Sequence, residues 1–442
     1  MCLSKKQKLL IHYFLICSVG LLLALPSNSQ TQWKLEQIGT LPEPISNSAI
    51  ALGYLHDTAN LFVFGAIDST LSQEGIHRRS YRFNLISKKS EALPELPDST
   101  GKLGMAATAI GDTIYIVGGY HVLPDHSEIT SNKVHRYRIS ENTFLPDGTQ
   151  LPTGTDDHVQ ALHSNGTIAA VTGWNNFGNL RKAQFYSPNE NTWTEGKQSP
   201  NTYPYKAFGA QGVFIGDTLL YFGGATSASG FAILNYLRKV HVDFSDLNNI
   251  EWSNQQLPTE QAAYRMAASS LYGNAVWVGG SKKTYNYDGL AYDGTGPVEA
   301  VEGVYVWNPA SDALIFHSVP GLPMDLRNVG KMNDSTLVIA GGILPNHEVS
   351  NKVYTLTWKI NSLAQPEVSH PQTVLFPNPA KDRLQVVAPS TIQTLEFRAP
   401  SGKSAIQVPI YNGTVNTSIL TPGNYLVFDS KTKNFIQRVV VK

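Results

Sequence analysis

Six times along this 442-residue chain an apolar run meets a tight turn and resumes as a second apolar run that ends in or beside glycine. The second runs are Leu61–Ala66, Thr113–Gly119, Thr167–Gly173, Thr218–Gly224, Asn274–Gly280 and Thr336–Gly342. Short apolar runs divided by turn residues predict β-hairpins rather than helices. The turns centre on His56-Asp57, Gly111-Asp112, Asn165-Gly166, Gly216-Asp217, Gly273-Asn274 and Asn333-Asp334, recurring every 51 to 60 residues. Gly, Asn and Asp suit such turns because primed hairpins require positive φ. A repeat of this period decides the fold class, and the class is all-β.

The first strand of each hairpin is rich in small residues, as in 105–110 (MAATAI) and 266–271 (MAASSL). Small side chains fit strands crowded around a common axis. A longer loop follows each glycine, and then an aromatic third strand, such as Ser80-Tyr-Arg-Phe83, Val134-His-Arg-Tyr137 or Val304-Tyr-Val-Trp307. A fourth strand ends near Leu-Pro or Ser-Pro at 96/97, 151/152, 199/200, 257/258 and 322/323. The sixth repeat stops after its third strand, Lys352–Lys359, while an unpaired fourth-strand pattern, Trp33–Ile38, precedes the first. Pairing those two segments would remove both free edges.

The glycine doublet, the aromatic strand and the spaced Trp193 and Trp252 resemble the kelch motif. The resemblance spans about Trp33 to Ile360 and implies a six-bladed β-propeller closed by its N-terminal strand. The doublet is eroded at Gly65-Ala66 and Gly173-Trp174.

Both ends of the chain read differently. Lys5, Lys6 and Lys8 precede an apolar stretch from Leu9 to Leu25, so 1–29 is expected to be a secretory signal peptide. After a linker at 361–373, residues 374–442 carry Phe376-Pro-Asn-Pro-Ala-Lys381, a late Gly423-Asn-Tyr-Leu426 strand and a basic terminus. This resembles the C-terminal sorting domain of the type IX secretion system of Bacteroidetes, which implies a small β-sandwich following a propeller over 30–360. It also implies export to the outside or the outer-membrane surface, with that machinery as partner.

Net charge is zero overall, with 34 basic and 34 acidic residues, but the ends are basic. Setting aside three Lys in 1–29 and eight Lys/Arg against three acids in 372–442 leaves 23 basic and 31 acidic residues, a net of −8. That sign argues against nucleic acid or an anionic membrane as partner, and a monomer is expected. The two cysteines, Cys2 and Cys17, lie in the signal segment. A mature chain without cysteine excludes a thiolate nucleophile and the cysteine-crosslinked copper site of galactose-oxidase-like catalysis, an activity sometimes attached to kelch propellers. No cofactor is expected, and scattered histidines (His121, His126, His158, His347) do not specify a metal site.

Candidate chemistry lies where chains start the inner strands: Lys102, Asp156-Asp157-His158, Tyr205-Lys206, Tyr264-Arg265 and Asp325-Leu-Arg327. They come from different repeats, and a propeller would converge them opposite the hairpin turns, in a polar mouth for an anionic or hydroxyl-rich molecule such as a sugar acid. The bland alternative is that these charges pair and bridge neighbouring sheets. Loop aromatics Trp174 and Tyr285 are candidates for stacking on sugars. Asp156 and Asp157, adjacent in an extended strand, are expected to point oppositely and so not to form a carboxyl pair. Three functions follow as expectations. The first is a binding module for a glycan or protein, using Lys102, Asp157, His158, Lys206, Tyr264, Arg265, Arg327, Trp174 and Tyr285. The second is an enzyme similar to the kelch mutarotases and epimerases of bacterial sialic acids. That resemblance implies Arg265 or Arg327 on the carboxylate and Asp157 or His158 moving the proton. The third is a scaffold within a surface complex.

Overall fold

A computed structural model describes residues 31–228, 230–360, 374–387, 392–399, 405–431 and 435–442. The signal and linker expectations at 1–29 and 361–373 lie outside the described residues, as do both cysteines. The chain is all-β and divides into two compact units, Gln30–Ile360 and one containing 374–442. Among the described residues no helix is long and apolar enough to cross a membrane.

Among the described residues of the larger unit the strands form six antiparallel sheets, four of four strands and two of five, and a separate two-stranded hairpin that pairs Trp174–Asn175 with Gly178–Asn179. Their inner strands are Ala49–Leu55, Leu103–Ile110, Val159–Leu162, Gln211–Ile215, Ala267–Leu271 and Gly330–Asn333. The sixth sheet takes its outer strand from the start of the chain. Thr31–Thr40 pairs antiparallel with Lys352–Ile360, setting Trp33 opposite Trp358 with the indoles stacked 5.2 Å apart. Two hairpin turns sit one residue from their expected centres. Asn274 pairs with Leu271 and Thr336 with Asn333, so the turns are Tyr272-Gly273 and Asp334-Ser335.

Each inner strand is approached through one residue in the left-handed region: Asn47, Gly104, Asp157, Gly209, Arg265 and Asp325, with φ from 45° to 65°. These residues link the sheets. The amide N–H groups of Asp157, Gly209 and Arg265 donate to the carbonyls of Gly104, Asp157 and Gly209 at 2.8–2.9 Å. Leu326 donates to Arg265, Asn47 donates to the Asp325 carbonyl, and the Gly104 amide donates to the Asn47 side chain. The glycine doublets serve the same junctions. A Cβ at Gly118 would collide with the Thr155 carbonyl of the next sheet, and that oxygen accepts the Gly119 amide at 3.0 Å. Only glycine combines the positive φ with so close a backbone approach.

Small residues of the inner strands (Ala51, Ala107, Ala161, Gly212, Ala268, Ser269) wall a channel of about 300 Å³ towards the hairpin turns. Apolar layers fill the gaps between sheets, such as Leu61, Phe83 and Val338 with Val353.

The smaller unit is two sheets, of three and four strands, over a core of Leu375, Leu384, Leu395, Phe397, Tyr425, Val427 and Val439. Its Pro-Asn-Pro segment is fixed by Asn378, which donates to the Arg438 carbonyl and accepts from the Val440 amide.

Candidate functional site

At the end of the larger unit away from the hairpin turns is a cavity of about 120 Å³. Its walls come from four sheets: Tyr120 and Glu128 of the second, Asp156, Asp157 and Trp174 of the third, Phe208 and Phe231 of the fourth, and Arg265, Asn286 and Tyr292 of the fifth. The left-handed starts of the inner strands deliver the charged groups, and the loops after the glycines deliver the aromatic ones. Trp174, Phe208 and Phe231 meet with centroids 5.2–5.9 Å apart, and Tyr292 lies 4.4 Å from Phe231.

The floor is a buried ion network. Arg265 Nη2 donates to Asp157 Oδ2 at 2.8 Å, Arg327 Nη1 lies 3.1 Å from Asp157 Oδ1, and Arg265 Nη1 lies 3.5 Å from Asp325 Oδ1. Asp325 is itself held by Ser46, Asn47 and Tyr285. Burial pushes the Asp157 carboxyl up, but Arg265 and Arg327 outweigh it and hold Asp157 below the usual carboxylate range. The neighbouring Asp156 goes the opposite way. Burial first, and then the Asp157 charge, raise it well above that range, while Thr130 Oγ1 donates to its Oδ2 at 2.7 Å. Burial and charge therefore shift these two adjacent carboxyls in opposite directions.

The expectation that these two side chains diverge is corrected. It assumed extended backbone, whereas Asp157 has φ 45°, which breaks the alternation and lets both carboxyls line one cavity. Arg265 is the anomaly among the six linking positions. Gly, Asn and Asp tolerate the left-handed region, but a long side chain there costs on the order of 1 kcal/mol. Its Nε and Nη1, both buried, lack hydrogen-bond partners. Donors left in this state cost stability unless something occupies them.

The candidate residues separate clearly. Asp157, Arg265 and Trp174 line the cavity. Arg327, Tyr264 and Tyr285 stand behind it: Arg327 pairs with Asp157, and both tyrosine rings lie about 5.2 Å from the Arg265 guanidinium or each other. His158 is fully buried beneath the floor, with Nε2 on Gln160 and Nδ1 unpartnered. Burial and then Arg327 lower its pKa to about 4, so it is neutral. It is not among the cavity walls, and neither is Lys206, half-buried beside Tyr205. Lys102 belongs to a different cluster. It is fully buried with its ammonium 2.8 Å from Asp98, whose carboxylate also binds His135 and Lys133.

Sequence reasoning missed Tyr120, Glu128, Phe208 and Phe231 as cavity walls. Asp156 had a signal: the register column of Asn47, Gly104, Gly209 and Asp325 marks a position tolerant of positive φ, and that column falls on Asp157. Among the described residues no group of three or more His, Cys, Asp or Glu is placed to hold a metal ion.

Among proteins of known sequence, no family model and no curated protein matches the chain. Among solved structures, the structure of YjhT is similar in fold, with a TM-score of 0.57 at 16% identity over 73% of this chain and 98% of that one. It is one of 709 matching solved chains, so the likeness establishes an architecture shared by many proteins and selects no activity among them.

Proposed function

We propose that 30–360 is a six-bladed kelch-type β-propeller whose cavity binds one small hydroxylated ring of sugar type and moves a proton on it. Six antiparallel sheets of four or five strands, the hydrogen bonds running through all six inner-strand starts, and the fold likeness to YjhT support the architecture. The chemistry rests on one arrangement: Asp156 and Asp157 line the same cavity, burial drives Asp156 towards the protonated form, and Arg265 and Arg327 hold Asp157 towards the ionised one. Environments that drive paired carboxyls apart are how a site offers acid and base near neutral pH.

Opening a cyclic hemiacetal requires a proton delivered to the ring oxygen and one withdrawn from the anomeric hydroxyl as the ring C–O bond breaks. Asp156 holds the proton to deliver. Glu128, exposed on the rim and without a hydrogen bond among the described residues, is the carboxylate that accepts the other. Reclosure on the other face returns both protons and inverts the anomeric centre. The Arg265 guanidinium in the cavity wall suits the oxygen on which charge builds. A second reading, binding without turnover, is favoured by Asp157, both of whose oxygens are committed to arginines.

Export completes the reading. The basic, apolar 1–29 segment is a secretory signal and 374–442 a type IX sorting unit that engages the secretion machinery, placing the propeller outside the cell or on the outer membrane. The two-sheet unit with its anchored Pro-Asn-Pro segment supports that assignment.

Exchange NMR on reducing sugars tests the chemistry. Wild-type protein is expected to accelerate anomer interchange, and Asp156→Asn to lose about 10²-fold of it while still shifting Trp174 fluorescence on binding. Sugar binding without acceleration by the wild type would leave only the binding-module reading.

A further inference from the structure

The charges around the cavity define the class of sugar more narrowly, granting that a sugar is what it binds. We infer that the cavity takes an uncharged sugar and discriminates against sugar acids. Every buried cation at the floor already has a carboxylate. Arg265 contacts Asp157 and Asp325, and Arg327 contacts Asp157, so two guanidinium groups face two carboxylates. The lysines that would have supplied a surplus are elsewhere: Lys102 is sealed against Asp98, and Lys206 is not a wall residue.

A ligand carboxylate would therefore enter a site with no spare positive charge and meet Asp157 and the rim carboxylate Glu128. Asp156, whose pKa burial and then the Asp157 charge raise, would be driven to keep its proton more strongly still by an incoming anion. Desolvating an unpaired carboxylate costs far more than a hydroxyl, which needs only one hydrogen bond in compensation. A hydroxyl suits walls that both donate and accept, here the Arg265 guanidinium and the Glu128 carboxyl. The four half-buried or buried aromatic walls (Trp174, Phe208, Phe231, Tyr292) suit the C–H face of an uncharged ring.

The test is calorimetry on matched pairs that differ only in CH2OH against COO⁻: glucose with glucuronate, galactose with galacturonate, mannose with mannuronate, and N-acetylneuraminate as a further acid. The neutral member of at least one pair is expected to bind about tenfold or more tightly than its acid, a difference of about 1.4 kcal/mol. An acid that binds as well as or better than its neutral partner overturns the class while leaving a sugar site in place. If no neutral sugar and no acid binds, the sugar reading itself falls, and the inference with it. Asp157→Asn sharpens the result by leaving two guanidinium groups against one carboxylate. A folded variant, checked by circular dichroism, should move the preference towards the acid, and an unchanged neutral preference in that variant would contradict charge balance as the cause. Should the variant fail to fold, the wild-type pairs alone decide.

Discussion

Two buried ion networks in the larger unit are built from similar residues and come to opposite ends. In the second sheet Asp98 binds Lys102, Lys133 and His135, and His135 also reaches Asp147, so that each charged group there has a partner. At the end away from the hairpin turns Asp157, Arg265, Arg327 and Asp325 are all buried, but Arg265 retains two unpartnered donors and the network floors a cavity. Both Lys102 and Arg265 precede an inner strand and look alike in sequence. What separates them is completeness: a saturated network stiffens a sheet, whereas an unsaturated one beside an opening can be completed by a ligand.

The largest expected effect falls on the saturated network. Asp98→Ala leaves Lys102 buried without a carboxylate and His135 with Asp147 alone, and should cost about 3–5 kcal/mol in chemical denaturation while leaving sugar affinity of the folded fraction unchanged. Loss of binding there would erase the distinction between the networks.

A pH profile comes next, because His158 and Asp156 have opposite signs. The His158 pKa is lowered to about 4, so the stability it contributes is present above the ordinary value of 6.5 and disappears as pH falls towards 4. That loss is about 3 kcal/mol, and His158→Gln should flatten this limb of the profile. The Asp156 carboxyl is raised, so its contribution is present in acid and declines as pH rises above about 4. Asp156→Asn, which keeps the neutral form, should remove that decline and change stability at pH 5 by less than about 1 kcal/mol.

Arg265→Lys keeps the charge but loses the forked donors. It should destabilise by about 1–2 kcal/mol and weaken ligand binding at least tenfold. Equal binding would mean the free donors are irrelevant. The smallest effect belongs to Phe177, 96% exposed at the tip of the Trp174–Asn179 hairpin. Phe177→Ala should leave stability within about 0.5 kcal/mol, and its influence on affinity reports whether the ligand extends past the cavity.

The sheets were legible because turn chemistry and period-two apolar runs are local signals, and the pairing of Trp33–Ile38 with Lys352–Lys359 followed from a missing fourth strand. The site was only half legible. Asp157, Arg265 and Trp174 could be named because they stand at fixed offsets from the repeat. Phe231 and Tyr292 lie in loops of different length, where no periodicity fixes direction. The alternation rule failed at Asp156 because a left-handed residue follows it, and Lys102 misled because burial and pairing depend on Asp98, Lys133 and His135, which only the fold brings together.

Larger clefts exist, including one of about 430 Å³ lined by His77, Arg78, Arg79 and Glu95 and the roughly 300 Å³ channel of small residues. A crystal structure with a bound neutral sugar decides among them. The sugar should lie against Trp174 and Tyr292 with a hydroxyl on Arg265 and another near Asp156. A sugar seated in the His77 cleft or the small-residue channel, with the Arg265 cavity holding only water, would contradict the account.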